Sequence, residues 1–181
     1  CEIINENSDY AECIDMGKND TLPPVIKPYY DVIELQYNYT NVSDNGYRLN
    51  GPLGCLQPGA EVIFGVSLNE PGQCKFMNGH TNSFAEMGED FGVSSLFRHN
   101  HTELFRVPTL ESLGVNAHNP NASVNYNMYV RCQDKRGNNN VQEYAIQMCI
   151  GKGIDVAPPI ITAKVPNSEV FAWNATSAGI R

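Results

Sequence analysis

Apolar residues recur with a period of two along much of this chain. The most regular stretch is Tyr126 to Ile150, YNMYVRCQDKRGNNNVQEYAIQMCI. Tyr126, Met128, Val130 and Cys132 share one face of a first run, and Tyr144, Ile146, Met148 and Ile150 share one face of a second. The Asp-, Gly- and Asn-rich segment 133–140 lies between them, so the pattern predicts a β-hairpin. Cys132 falls on the inward face, whereas Cys149 falls with the outward residues Ala145 and Gln147. Val62, Phe64, Val66 and Leu68 predict a further core strand. Asn69-Glu70-Pro71-Gly72 reads as a turn after it, leading into Cys74-Lys75-Phe76-Met77, where Cys74 and Phe76 face the same way. Asp31–Tyr39 and Leu96–Val107 read as additional strands. Pro23-Pro24 stops any helix and forces an extended entry. Turns are expected at Asp44-Asn45-Gly46 and Pro58-Gly59. Phe84–Phe91 is expected to form one helical turn that caps the core with Phe84, Met87 and Phe91, and Thr109–Asn125 a long loop. With almost no other helical period, the chain is expected to be all-β, a sandwich of about seven short strands.

The order of features near the two ends is the same. Asp9-Tyr10-Ala11, Cys13-Ile14, Gly17-Lys18, Pro23-Pro24-Val25-Ile26 and Tyr37-Asn38-Tyr39-Thr40 recur as Glu143-Tyr144-Ala145, Cys149-Ile150, Gly151-Lys152, Pro158-Pro159-Ile160-Ile161 and Trp173-Asn174-Ala175-Thr176. Such ordered self-similarity is a repeat. Residues 1–20 then read as the end of a preceding repeat or an N-terminal extension, 21–155 as one sandwich, and 156–181 as the first strand of a following repeat or a strand donated to a neighbour. Ile160, Ile161, Val165, Val170, Phe171 and Trp173 would be its assembly residues. An amphipathic strand without a partner leaves its backbone groups unpaired, so addition to the sheet of another copy is the expected remedy. A head-to-tail contact that does not close gives a filament.

Length and charge narrow the classes. The 181 residues suffice for one sizeable core, and no signal peptide precedes Cys1, so the chain reads as mature or as an excised portion. A net charge of -8 argues against nucleic acid as a partner. No apolar run approaches the roughly 18 residues of a membrane helix, so a soluble chain without a membrane span is expected. Six cysteines without zinc spacing favour disulfides. Sequons begin at Asn19, Asn38, Asn41, Asn100, Asn121 and Asn174. Chance predicts about two, so N-linked glycans and an extracellular or cell-surface location are expected.

The segments EPGQCKF, FAEMGEDF, RHNHTELF, YNMYVRCQDKRGNNNVQEYAIQMC and APPII, in that order from Val62 to Ile161, resemble immunoglobulin-like or fibronectin-type-III-like tandem repeats. These belong to large secreted and cell-surface proteins of archaea and bacteria. The resemblance implies an immunoglobulin-like sandwich repeat, a Cys74–Cys132 disulfide, and a structural or adhesive role; with the repeat at the two ends, the expected fold is such a sandwich with an extending strand at each end. The sequons, the extra cysteines and the loop 109–125 depart from the usual pattern. Side-chain direction supports the same bridge, because Cys74 and Cys132 both alternate with core residues on central strands, which suits a bond across the sandwich. Cys149, facing outward on an expected edge strand, pairs best with Cys55. Cys1 and Cys13 then close a small hairpin, bond to a neighbouring unit instead, or leave Cys1 as a lipidated first residue.

Catalytic chemistry is sparse. His99 and His101 share a face with Glu103, a possible metal set, yet Asn100 between them heads a sequon, and two strand histidines are the simpler reading. Glu86, Glu89 and Asp90 lack the alternating ligands of a calcium loop, and Asp134-Lys135-Arg136-Gly137-Asn138 reads as hairpin chemistry. No cofactor, metal or enzymatic activity is expected. The chain reads as a structural repeat or subunit of a glycosylated extracellular filament, pilus-like fibre or surface layer. The alternative is an adhesin or carbohydrate-binding module, which would need a platform of exposed aromatics.

Overall fold

The computed structural model describes residues 20–92, 96–116, 119 and 121–151. Eight strands are present among them: β1 (Ile26–Pro28), β2 (Asn38–Ser43), β3 (Gly46–Asn50), β4 (Glu61–Met77), β5 (Glu89–Asp90), β6 (Arg98–Arg106), β7 (Ser123–Asp134) and β8 (Tyr144–Gly151). The helical segments among the described residues are single 3-10 turns at Tyr30–Val32 and Phe84–Glu86. The protein is all-β. Its strands form one mixed sheet, ordered β1-β4-β7-β8-β3-β2 with β5 and β6 also on β4, and the sheet is nearly barrel-shaped.

The long strand β4 sets this arrangement. Its first half buries Val62, Phe64, Val66 and Leu68, and pairs with β6 on one edge and, at Val66–Leu68, with β1 on the other. Its second half pairs with β7 and β5. The change of partner coincides with a shift in register between Ser67 and Gly72. The expected turn at Asn69–Gly72 is therefore a bulge within a continuous strand. Pro71 has no N–H to offer the ladder, so pairing lapses there, and it resumes at Gly72. A Cβ on Gly72 would meet Leu68 Cδ1 at 2.9 Å and Gln133 O at 3.0 Å, so the resumed pairing is tight against this glycine.

The hairpin forms as the alternation predicts. Tyr126 lies opposite Met148, Met128 opposite Ile146, and Val130 opposite Tyr144. Met128, Val130, Ile146, Met148 and Ile150 are buried with Phe64, Leu49 and Leu56 in one core cluster. Phe84, Met87 and Phe91 are also buried, as expected of a capping turn. The segment Asp31–Tyr39 departs from expectation, since only Asn38 and Tyr39 join a strand. Leu35 is 106% exposed, so the local alternation is not used for burial.

Strand β8 is not an edge. It pairs with β7 on one side and, in parallel, with β3 on the other. A Cβ on Gly46 would sit 2.0 Å from Ala145 O, so only glycine allows this approach. Tyr47 then packs against Tyr39 and Tyr144, with ring centroids 4.4 and 5.9 Å apart. Its hydroxyl donates to the Gly65 carbonyl at 3.2 Å, tying β3 to β4 through the core.

Candidate functional site

Disulfides join Cys74 to Cys132 and Cys55 to Cys149, the pairings that side-chain direction suggested. The first does not cross a sandwich. Cys74 and Cys132 are direct partners on the adjacent antiparallel strands β4 and β7, with Cα atoms 4.0 Å apart. The second ties the Leu56 segment, which bridges to Ile150, onto β8. With sequence separations of 58 and 94, each bridge restricts the unfolded chain by roughly 4–5 kcal/mol in the loop-entropy picture. Cys1, Cys13, Asn19, Asn174 and the assembly residues Ile160, Ile161, Val165, Val170, Phe171 and Trp173 lie outside the described residues.

Of the sequons, Asn38 and Asn41 are exposed on β2, which ends the sheet order, and Asn121 is exposed in the turn two residues before β7. Asn100 is half-buried on β6. The histidine face of β6 has structural partners. His101 is buried, and its Nε2 donates to Gly72 O at 2.9 Å, with Arg98 O at 3.2 Å. His99 Nδ1 donates to Leu68 O at 3.2 Å. Both imidazoles thus bond carbonyls at the two margins of the β4 bulge. Burial pushes the His101 pKa down, against the raising effect of those carbonyls, so the ring is held neutral. Glu103 accepts the Gly92 N–H at 2.8 Å. Glu86 accepts from the Asn82 N–H, and Glu89 and Asp90 form β5 against Phe76 and Lys75. The side chains of His99, His101, Glu103 and Glu86 are therefore engaged with the backbone.

The densest polar cluster lies at the loop between β7 and β8, and it does more than turn the chain. Asp134 is buried, and its Oδ1 accepts the N–H groups of Arg136 and Asn138, both at 2.8 Å. Its Oδ2 accepts Asn138 Nδ2 at 2.7 Å. Gly137 supplies the positive φ, 90°, that closes the loop. Thus stiffened, the loop reaches across to the incoming chain. Asn138 Nδ2 donates to the Asp20 carbonyl at 3.0 Å, and Asn140 Nδ2 donates to the Pro24 carbonyl at 2.6 Å. Asn140 Oδ1 meanwhile accepts the Cys132 N–H at 2.9 Å, which locks its amide orientation. Two asparagines therefore clamp the segment that leads into β1. The local sequence of this loop reads as hairpin chemistry alone. The signal it carried was an excess of Asp and Asn, at positions 134, 138 and 140, beyond what a tight turn needs.

The carboxylates of Asp20, Glu70 and Asp134 also converge here, with oxygens within 4.8 Å of one another. Burial, and then the charges of Asp20 and Asp134, raise the Glu70 pKa. On the far side of the clamp, buried Arg131 donates to the carbonyls of Asn140, Val141 and Thr81. Glu143 accepts the Thr81 N–H at 2.7 Å and contacts His80 Nδ1 at 2.6 Å. Burial raises the Glu143 carboxyl, but these bonds and the Arg131 charge outweigh it and hold the pKa below the usual value. A groove of about 300 Å³ runs between Pro23–Ile26 and Asn140–Tyr144, with Asp44 and Asn45 along its rim. Among the described residues, no helix is long and apolar enough to cross a membrane. Comparison with protein-family models, curated proteins and solved structures finds no match to the chain.

Proposed function

We propose that the chain is a structural repeat of a glycosylated extracellular fibre or surface layer. In this reading it is an immunoglobulin-like unit without catalytic activity, joined head-to-tail to adjoining copies through strand pairing. The observation that carries the reading is the place of the first Pro-Pro motif. Pro23-Pro24-Val25-Ile26 is clamped by Asn140 and runs into β1, which pairs with β4. In this reading the unit is thereby supplied with its first strand, and the matching Pro158-Pro159-Ile160-Ile161 would serve a neighbour in the same way. Two disulfides fit an oxidising location. The exposed sequons Asn38 and Asn41 on β2 would place glycans along one sheet margin, blunting unwanted pairing there. Sedimentation and negative-stain imaging of the purified chain test the reading. Head-to-tail oligomers or fibres are expected, and discrete monomers at every concentration would count decisively against it. The mass of native, denatured but unreduced material reports glycan load and covalent linkage.

A further inference from the structure

The clamp has a geometric consequence for how successive units meet. The clamped segment has the form Asp-x-x-Pro-Pro-x-Ile at Asp20–Ile26, and the same seven-residue form returns at Asp155–Ile161. Asp155 lies four residues beyond Gly151, the last residue of β8, so the two Cα atoms are within about 14 Å of each other. The clamp is at the other end of the unit. Along β8, Tyr144 is about 24 Å from Gly151 at the usual strand rise. Asn140 lies farther still, since its N–H bonds to Cys132 O beyond the Val130–Tyr144 pair. Asp155 therefore cannot reach the clamp of its own unit, which Asp20 and Pro24 already occupy.

Resting on the head-to-tail reading above, we propose that the groove between Pro23–Ile26 and Asn140–Tyr144 is the seat of an adjoining copy of this unit, received by its Gly151 end. At most about 14 Å of chain separates one unit's last strand from the Asp of the next unit's clamp, so the two ends are held close enough to meet. The surfaces are suited to each other. At the groove, Val25 is 49% exposed and Val141 88%, and the neighbouring Leu22 is 72% exposed. At the opposite end Leu53 is 53% exposed, bridging to Cys55 beside Gly151. Apolar side chains left in water at both ends of one unit are covered when copies stack. Successive units then form a stiff rod with a fixed angle at each junction.

The test is a polypeptide in which the full chain carries its central unit twice, residues 1–151 followed directly by residues 18–181. Spin labels introduced as noncanonical residues at Leu35 of each unit leave the disulfides intact. The expected result is a single narrow inter-label distance, lost when Val25 and Val141 of the second unit are changed by Val25→Asp and Val141→Asp. A Leu104→Asp control on β6 should keep it narrow. A broad distribution in the parent tandem would overturn the proposal, as would a narrow one that survives both groove substitutions. Circular dichroism melting of the groove variant separates loss of docking from loss of folding. If the variant unfolds, the milder Val141→Ser replaces it under the same criteria. Sedimentation of the unduplicated chain reads head-to-tail association itself. Association that persists with a broad tandem distance sinks the docking proposal alone, whereas a monomeric chain with a narrow distance sinks strand-mediated assembly alone.

Discussion

At the scale of single residues, Asp134 shows how one buried carboxylate can organise a loop. It accepts three hydrogen bonds, from Arg136 N, Asn138 N and Asn138 Nδ2, and so places Asn138 and Asn140 on the entering chain. Asp134→Ala removes the acceptor of three part-buried donors and is expected to cost about 1–3 kcal/mol in urea unfolding. It should also increase amide exchange in β1, which a merely local turn defect would not. Glu70 acts in the opposite sense. Its folded pKa is raised, by burial first and then by Asp20 and Asp134, above the unfolded value. Stability present in acid is therefore lost as pH rises through the folded pKa. Glu70→Gln should raise the melting temperature at about pH 7, and the gain should vanish near pH 3, where the carboxyl is protonated in both states. An equal gain at both pH values would show that charge is not the cause.

At the scale of elements, legibility followed locality. The β7–β8 hairpin and the first half of β4 were readable because period-two burial is written in consecutive side chains. Cysteine direction along those strands led to both pairings, yet Cys74 and Cys132 meet on adjacent strands and not across a sandwich, and Cys149 is buried on an inner strand and not exposed on an edge. The rest depends on partners distant in sequence. Asn69–Gly72 has turn composition, yet His99 and His101 on β6 bond the carbonyls of Leu68 and Gly72 on either side of the bulge, and the strand continues. Asp31–Tyr39 has strand composition, but no neighbour covers Leu35. The parallel β3–β8 contact joins segments about a hundred residues apart, and neither local pattern names the other. Gly46→Ala tests that contact. The added Cβ collides with the Ala145 carbonyl, so a loss of about 2–3 kcal/mol is expected, as for overpacking at a buried site. Hydrogen exchange should localise the damage to Tyr47–Leu49 and the facing residues of β8.

At the scale of the whole molecule, the acidic balance opposes the proposed assembly. Each chain carries a net charge of -8, so approaching copies repel over distances that salt shortens, from about 30 Å at 10 mM to about 8 Å at 150 mM. If apolar rims are the contact, sedimentation should show association strengthening as salt rises across that range. Weakening with salt would point to an ionic junction and away from Val25, Val141 and Leu53. The alternation of side chains, the repeated Asp-x-x-Pro-Pro-x-Ile form and the parity of the cysteines were determined by the sequence itself. They established an all-β chain, its hairpin, the two bridges and the recurrence of the Pro-Pro motif. Tertiary structure decided which strands are neighbours, that Asn69–Gly72 bulges and does not turn, and that Asn138 and Asn140 grip the entering chain. The physical reason is that a side chain's face is set by its immediate neighbours along the backbone. Its hydrogen-bond partner is set by whatever the closed sheet brings opposite, and that is known only once the sheet has closed.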